Sequence, residues 1–592
     1  MERRLLLAIV LCFVVLTAYQ WLVPTQQLPV AQPTTATSGT ATAPQPGTLP
    51  PGTPPTPAAV TPPVLAPVET VQADTAERTV TVDNGLVRAV FSNRGATLSS
   101  WQLAEYLADG KPVDLVPHDV PADQPKPFSL KVDDAAKTAR LNSALFARTG
   151  GSAQAGIEPS TLDARSAPVT LTFEYQDAAG LQARKEFRIE PSSYVVAVSV
   201  NVSDGGTAIN PTIQWGPGLG DVIAAGPGGA FSAVRKSAAI FSVDDSVERL
   251  QAADLLATPK YQGGYDFAGI DTHYFISAAV KPGSADLEYR PLAIPSAGPD
   301  PSVSRDYVGY DIRFRSAPSG SSSVKFFVGP KHFVSLQKAE PDLVRAIWFG
   351  MFAFLCVPLL SALNWLNSFV GNYGWSIILL TVIINAAMFP LRHKSNVSMR
   401  KMQEIQPQVK TIQDRYAKLS MTDPGRQKMN TELMELYRQR GVNPASGCVP
   451  MLLTFPVLLA FYSLLSEAIE LRGAPFIWWI HDLAAADPYY VTPILMGASQ
   501  VLQQKMMPMT GADPVQQKMM LFMPIIFTFL FLTSPAGLAL YWFASNVLVI
   551  LQQVLTNKMI GPPAIRAPRP PAERKMKKVG EGKTESVPES GK

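Results

Sequence analysis

The sequence predicts a multi-pass α-helical membrane protein that carries a large all-β domain on its outer side. Three observations predict it. Apolar runs of about bilayer length recur in the C-terminal third. Residues 75–335 instead alternate polar and apolar side chains with period two, punctuated by Gly, Pro, Asn and Asp. Basic residues gather in the segments that span parity assigns to the cytoplasm.

Composition narrows the function. The 592 residues are 47% hydrophobic yet include 53 prolines, so the chain joins unlike segments. A formal charge of +4 gives no argument for a nucleic-acid partner. Cys12, Cys356 and Cys448 all lie in apolar stretches, without a CxxC pair, and the five histidines form no HExxH. No Walker motif, GxSxG or nucleophile–base pair is present. Transport and protein handling fit this inventory better than covalent chemistry.

Arg3 and Arg4 precede an apolar run over residues 5–23. It is read as a retained anchor, residues 1–23, rather than a cleaved signal peptide, with its N-terminus in the cytoplasm. Residues 24–74 are a Pro/Thr-rich linker, uncharged from 24 to 67, whose prolines keep it extended. The β pattern of 75–335 reads as a sandwich outside the cytoplasm. The glycine-rich pieces at 216–220 and 226–229 lack a phosphate loop's Lys-Ser/Thr ending and read as turns. Residues 336–370 are amphipathic, then apolar. Parity allows one span between the outer domain and the basic segment, and 373–391 takes it. So 336–370 is read as an interfacial helix bent at Pro358, with 338–366 as its core.

Residues 392–440 hold eleven Lys or Arg against five acids, which keeps them cytoplasmic. Met402, Ile405, Val409, Ile412, Tyr416 and Leu419 repeat as a heptad seam. With Met429, Leu433 and Leu436 they predict a helical hairpin over 395–441. Four more spans follow, at 447–469, 489–507, 519–533 and 537–559. The basic tail, 561–592, ends inside, where rRNA or anionic lipid could meet it. Six spans satisfy charge and parity, five of them in a core over 371–560.

These spans carry polarity. Thr381 and Asn385 share a helix face, which fits either a helix-packing hydrogen bond or a wet groove within the membrane. Ser463, Ser466, Glu467, Gln500, Ser545 and Asn546 add to it. Their convergence around water would ease entry of a hydrophilic segment from the cytoplasm. The span at 519–533 is short, so local thinning is expected. Met506, Met507 and Met509 sit where flexible, polarizable side chains could capture apolar clients. Met402 and Met429, on the seam, read as core.

The C-terminal third resembles the YidC membrane protein insertases, of the long type in the Gram-negative inner membrane. The resemblance rests on NYGWSII (372–378), FPL (389–391), SMRKM (398–402), GVNP (441–444) with GC (447–448), and APF (474–476). WIHDL (479–483), DPYY (487–490), PILMG (493–497) and PAGL (535–538) complete it. NGLV (84–87) and SNRGA (92–96) resemble the family's supersandwich domain, which would be periplasmic. The resemblance implies an insertase and chaperone for nascent membrane proteins, acting alone or beside the Sec translocon. It implies no enzyme activity and no cofactor; ribosome and membrane lipids are further expected partners. It also marks Thr381 as a groove threonine, and Tyr541 and Trp542 as an aromatic pair usually both tyrosine. Asn385 stands where the family commonly has arginine, so the groove's fixed cation is missing there. A solute transporter or channel with an external sensing domain is the competing reading; it requires an internal repeat, and none is visible in the sequence.

Overall fold

The computed structural model describes residues 69–108, 110–149, 161–221, 236–295, 304–315, 321–416, 425–441, 449–506 and 514–560. The expected anchor (1–23), the linker up to residue 68, the glycine-rich piece at 226–229, the turn of the cytoplasmic hairpin and the basic tail lie outside them.

Among the described residues, the strands from Thr70 to Pro330 form two sheets, of fourteen and five strands. Alternation is cleanest in β1 (Leu181–Ile189), where Leu181, Ala183, Lys185, Phe187 and Ile189 all point inward. β1 pairs antiparallel with β2 (Val195–Asp204) in unbroken register from Leu181 with Asp204 to Ile189 with Val196. In the five-stranded sheet, Val87–Ser92 sits between Thr79–Asp83 and Thr97–Ala108. The sheets meet through aromatics: Phe91 of the smaller lies 4.8 Å from Phe187 of the larger. The glycines at 216–220 are packing positions. A Cβ on Gly220 would sit 2.2 Å from the Asp114 carbonyl.

Lys185 is fully buried in this core. Its ammonium donates to the carbonyls of Gly95 (2.6 Å), Ala96 (3.3 Å) and Phe128 (2.8 Å). Burial pushes its pKa down to about 7. Between pH 7 and 10.5 the unfolded chain therefore holds a proton that the folded domain gives up, and stability rises with pH. The unfolding midpoint of the β domain should climb through this window, and Lys185→Met should remove Lys185's share of the slope. The variant should also lose about 3 kcal/mol, because three buried carbonyls lose their donor. Denaturant titrations at several pH values measure both.

The helices follow. The stretch read as one interfacial helix is broken. Phe333–Ala339 is a short helix, Pro341–Ala346 and Gly350–Phe352 are 3-10 turns, and α1 starts only at Ala353 (Ala353–Val370). Pro341 cannot continue the preceding helix. Leu343, Ala346, Ile347 and Phe349 are buried, and Arg249 of the β domain donates to the Ala346 carbonyl, so residues 341–349 pack with the β domain. Pro358 falls inside α1.

α2 (Tyr373–Arg415) runs for 43 residues without a break, from the expected span into the basic segment. At 1.5 Å per residue it is about 65 Å long, roughly twice a bilayer's hydrocarbon core. Asn372 caps it, accepting from the Trp375 amide and donating to the Pro475 and Phe476 carbonyls. α3 (Gly425–Gln439) packs back along it. The seam is real: Ile405, Val409, Met429 and Leu433 form a separate small core, flanked by Met402, Ile412, Tyr416 and Leu436. Gly441, at φ +61°, ends the return helix.

Then come α4 (Val449–Glu467), α5 (Val491–Met506), α6 (Pro514–Leu530) and α7 (Ala536–Ile560). Among the described residues three stretches are long and apolar enough to cross a membrane: Gly350–Val370, Tyr373–Arg415 and Ala536–Met559; Phe455–Glu467 and Phe522–Thr533 are shorter apolar helices. α7 packs against α2, α4 and α5, and α5 against α6.

Candidate functional site

Two polar arrays lie among these helices. The first is on α2. Thr381 is fully buried, and its hydroxyl donates to the Ile377 carbonyl at 2.7 Å. This back-bond satisfies the hydroxyl within its own helix. Asn385 Nδ2 donates to the Thr381 carbonyl at 2.8 Å, and its Oδ1 accepts from Arg392 Nη1 at 2.6 Å. The two residues do share a face, but Asn385 alone carries polarity onward.

The second array joins α5 to α7. Trp542 and Asn546 are one turn apart and face α5. Gln500 Oε1 accepts from Trp542 Nε1 at 2.8 Å and from Asn546 Nδ2 at 3.1 Å. Asn546 also donates to Ser499 Oγ at 3.0 Å, and Ser499 donates to the Met496 carbonyl at 2.6 Å. Interhelical hydrogen bonds of this kind contribute about 0.6 kcal/mol each, up to ~1.7. The network fixes the α5–α7 contact. The Trp542 ring packs edge-on against Phe531, 5.0 Å between centroids. Tyr541 turns the other way. It is buried and stacked on Phe461 of α4 at 4.2 Å, and it couples electrostatically to Arg392.

The structure divides the rest of the expected polarity. Ser466 and Glu467 sit not beside Asn385 but at the seam between α4 and the β domain. His273 Nε2 donates to the Ser466 carbonyl at 3.0 Å. Glu470 accepts from the Phe333 amide at 3.1 Å, and Arg472 grips Asp221 through two contacts of 3.1 and 3.3 Å. Burial pushes the Asp221 carboxyl up, against the pull of Arg472. Met506 ends α5 and is half-buried; Met507 and Met509 lie outside the described residues.

Sequence reasoning missed two participants. Ser499 adjoins Gln500, and it escaped notice because one serine in an apolar helix is weak evidence. Arg392 opens the basic segment that charge assigns to the cytoplasm, yet it is 9% exposed and reaches back up α2. The tilt of helical side chains toward the N-terminus could have signalled that.

The α5 entry is held by Asp487, which is 1% exposed. One carboxylate oxygen accepts from Trp479 Nε1 (3.0 Å) and the Tyr489 amide (3.0 Å), the other from the Thr492 amide (2.8 Å) and hydroxyl (2.9 Å). Burial works against the charge. The donors from Thr492, Tyr489 and Trp479 outweigh it and hold the carboxyl below its usual range.

Two family descriptions match this chain. "YidC periplasmic domain" covers residues 79–362, and "60Kd inner membrane protein" covers 365–562. Their junction falls in α1. The Geobacter metallireducens protein named membrane protein insertase YidC is 34% identical over 82% of this chain and 86% of its own length. The protein of the same name from Geotalea daltonii is 32% identical over 95% of this chain and 100% of its own. A solved structure described as an active YidC insertase, with its first transmembrane domain resolved, aligns at 18% identity and a TM-score of 0.33, over 83% of this chain and 94% of that one. On its sequence relatives and both matched descriptions, the chain belongs to the YidC family of membrane protein insertases, inner-membrane proteins with a β-rich periplasmic domain.

Proposed function

We propose that the protein inserts nascent membrane proteins into the inner membrane along a polar path between α2, α5 and α7. The observation that carries this reading is the pair of arrays, Asn385–Arg392 on α2 and Gln500–Trp542–Asn546 between α5 and α7. A hydrophilic segment leaving the cytoplasm must keep its peptide groups bonded, at several kcal/mol for each one left unmet. Amides and a guanidinium inside the bundle supply partners on the way. Met506, which ends α5, and Met507 and Met509, which follow it in the sequence, suit the apolar part of a client.

Six spans serve this arrangement: the anchor at 1–23, then α2, α4, α5, α6 and α7. Both termini are cytoplasmic, and the two stacked sheets form a periplasmic supersandwich. α1 lies along the outer surface. Exposed aromatics favour that placement. Trp348, Trp365, Trp375, Trp478, Tyr489 and Tyr490 lie just before or on α1, at the start of α2 or in the loop between α4 and α5, as an outer interfacial belt would. The Sec translocon, the ribosome near the basic tail, and membrane lipid are the partners this placement allows.

Photocrosslinking tests the path. A crosslinker at 385 or 500 should capture a ribosome-stalled client. One at Leu551, which is 62% exposed on the outside of α7, should not. Equal capture from all three positions would rule the path out.

A further inference from the structure

We infer that His273 and Glu467 form a proton-operated latch, which holds the β domain against the C-terminal end of α4 while the pair carries a proton and slackens when it does not. Hydrogen bonding fixes where that proton goes. His273 Nε2 meets the Ser466 carbonyl at 3.0 Å. A carbonyl can only accept, so the hydrogen of the neutral ring is assigned to Nε2, and Nδ1 is the nitrogen left to titrate. Nδ1 faces Glu467 Oε2 at 3.9 Å, with the two side chains only 4% and 8% exposed. A protonated ring and the carboxylate make an ion pair. Without the proton, a nitrogen lone pair faces a buried anion, and an uncompensated buried charge is strongly destabilising. Whichever of the two groups holds it, one proton belongs to the docked pair.

His332 supplies a contrast at the same seam. It also lies beside a glutamate, with Nε2 4.0 Å from Glu470 Oε1. But its Nδ1 accepts from the Ser335 amide at 3.4 Å and caps the short helix Phe333–Ala339. A proton there would break the cap, whereas a proton on His273 Nδ1 gains a partner. The neighbouring charges are engaged with one another. Lys331 and Arg249 meet Asp271 at 3.1 and 3.2 Å, and Arg472 meets Asp221 at 3.1 Å. Glu470 accepts from the Phe333 amide. Tyr274 touches the His273 ring edge-on at 4.1 Å, and burial pushes its phenol up, so it stays neutral. Tyr462 of α4 and Asp482 of the outer loop also act on these groups.

The docked ring gains Glu467 as its partner, and an undocked ring meets water, so docking takes up the proton. Docking therefore strengthens as pH falls through the ordinary imidazole range, about 6.5, and weakens as pH rises. Lys185 has the opposite slope at higher pH, and it lies in the β core away from this seam. A readout confined to the seam separates the two. α4 also carries Phe461, which stacks on Tyr541 of α7, so the latch bears on the helices beside the polar path. The latch itself does not depend on the insertase reading.

Limited proteolysis of the full-length protein in proteoliposomes tests it, with cleavage mapped to residues 331–352, which join the last strand to α1. Cleavage there tracks opening of the seam. An unstructured peptide cleaved in parallel corrects for the protease's own pH dependence. From about pH 5.5 to 8 the corrected rate should rise about tenfold in the unmodified protein. His273→Lys, which keeps a charge at this position, should remain slow at both pH values. His273→Gln, which keeps a donor for the Ser466 carbonyl, and Glu467→Gln should each flatten the profile, and the double variant should flatten it no further. His332→Gln should retain the pH response. A response that survives both His273→Gln and Glu467→Gln would overturn the proposal and place the titrating group elsewhere. A flat profile in the unmodified protein would also overturn it and leave the pair structural. Thermal unfolding in detergent checks that each variant folds.

Discussion

Gly497→Val should abolish insertion, and Gly497→Ala should reduce it by about tenfold or more at equal protein level. Gly497 is where α5 crosses α6. A Cβ built there would lie 1.9 Å from Thr528 Oγ1 and 3.0 Å from Thr528 Cβ. Thr528 cannot simply turn away, because its hydroxyl donates to the Pro524 carbonyl at 2.8 Å. The helices must then separate. Overpacking of this kind is destabilising by about 1–3 kcal/mol, and membrane helices use small residues to approach closely. The consequence reaches the polar path. Gln500 is three residues beyond Gly497 on the same helix, so a shift of α5 stretches its bonds to Trp542 and Asn546. Thr528→Ala in the Gly497→Ala background should restore part of the activity. Insertion assays of the single and double variants measure this; full activity of Gly497→Val would mean the crossing is looser than drawn.

Asp487→Ala should remove about 3–5 kcal/mol of stability. Four donors converge on the Asp487 carboxylate from Trp479, Tyr489 and Thr492. Alanine leaves them unmet and uncaps α5 at its outer end. The milder substitution Asp487→Asn keeps one acceptor oxygen and should lose less, about 2 kcal/mol. The carboxyl's lowered pKa sets the pH window. Its contribution is complete above the unfolded value, 3.8, and is lost as pH falls through the folded one. At neutral pH the full effect should appear. Thermal unfolding in detergent reads the loss, and limited proteolysis in the outer loop should locate it. An unchanged midpoint for Asp487→Ala would show that the loop is held by other contacts.

Much of the molecule follows from pattern alone. The strands at Thr79–Asp83, Val169–Asp177 and Val195–Asp204 lie inside the stretch that period two marks as β, because a sheet with one buried face shows its alternation locally. The hairpin seam was readable because a heptad repeat is itself a contact map. Residues 336–352 were misread as part of one helix. Their apolar residues suit a helix face, but Pro341 and the left-handed Gly350 break the backbone, and the β domain supplies the burial.

The polar residues mark the boundary between the two kinds of knowledge. The chain itself dictated that Thr381, Asn385, Ser466, Glu467, Gln500 and Asn546 need partners, since hydrocarbon offers none. Which partner each one meets depends on how helices far apart in sequence rotate and cross. Only packing sent Ser466 and Glu467 to the β-domain seam, joined Gln500 to Trp542 and Asn546, and left Thr381 bonded to its own helix. Only packing drew Arg392 inward to Asn385, since a linear string records which charges exist and not which of them are enclosed.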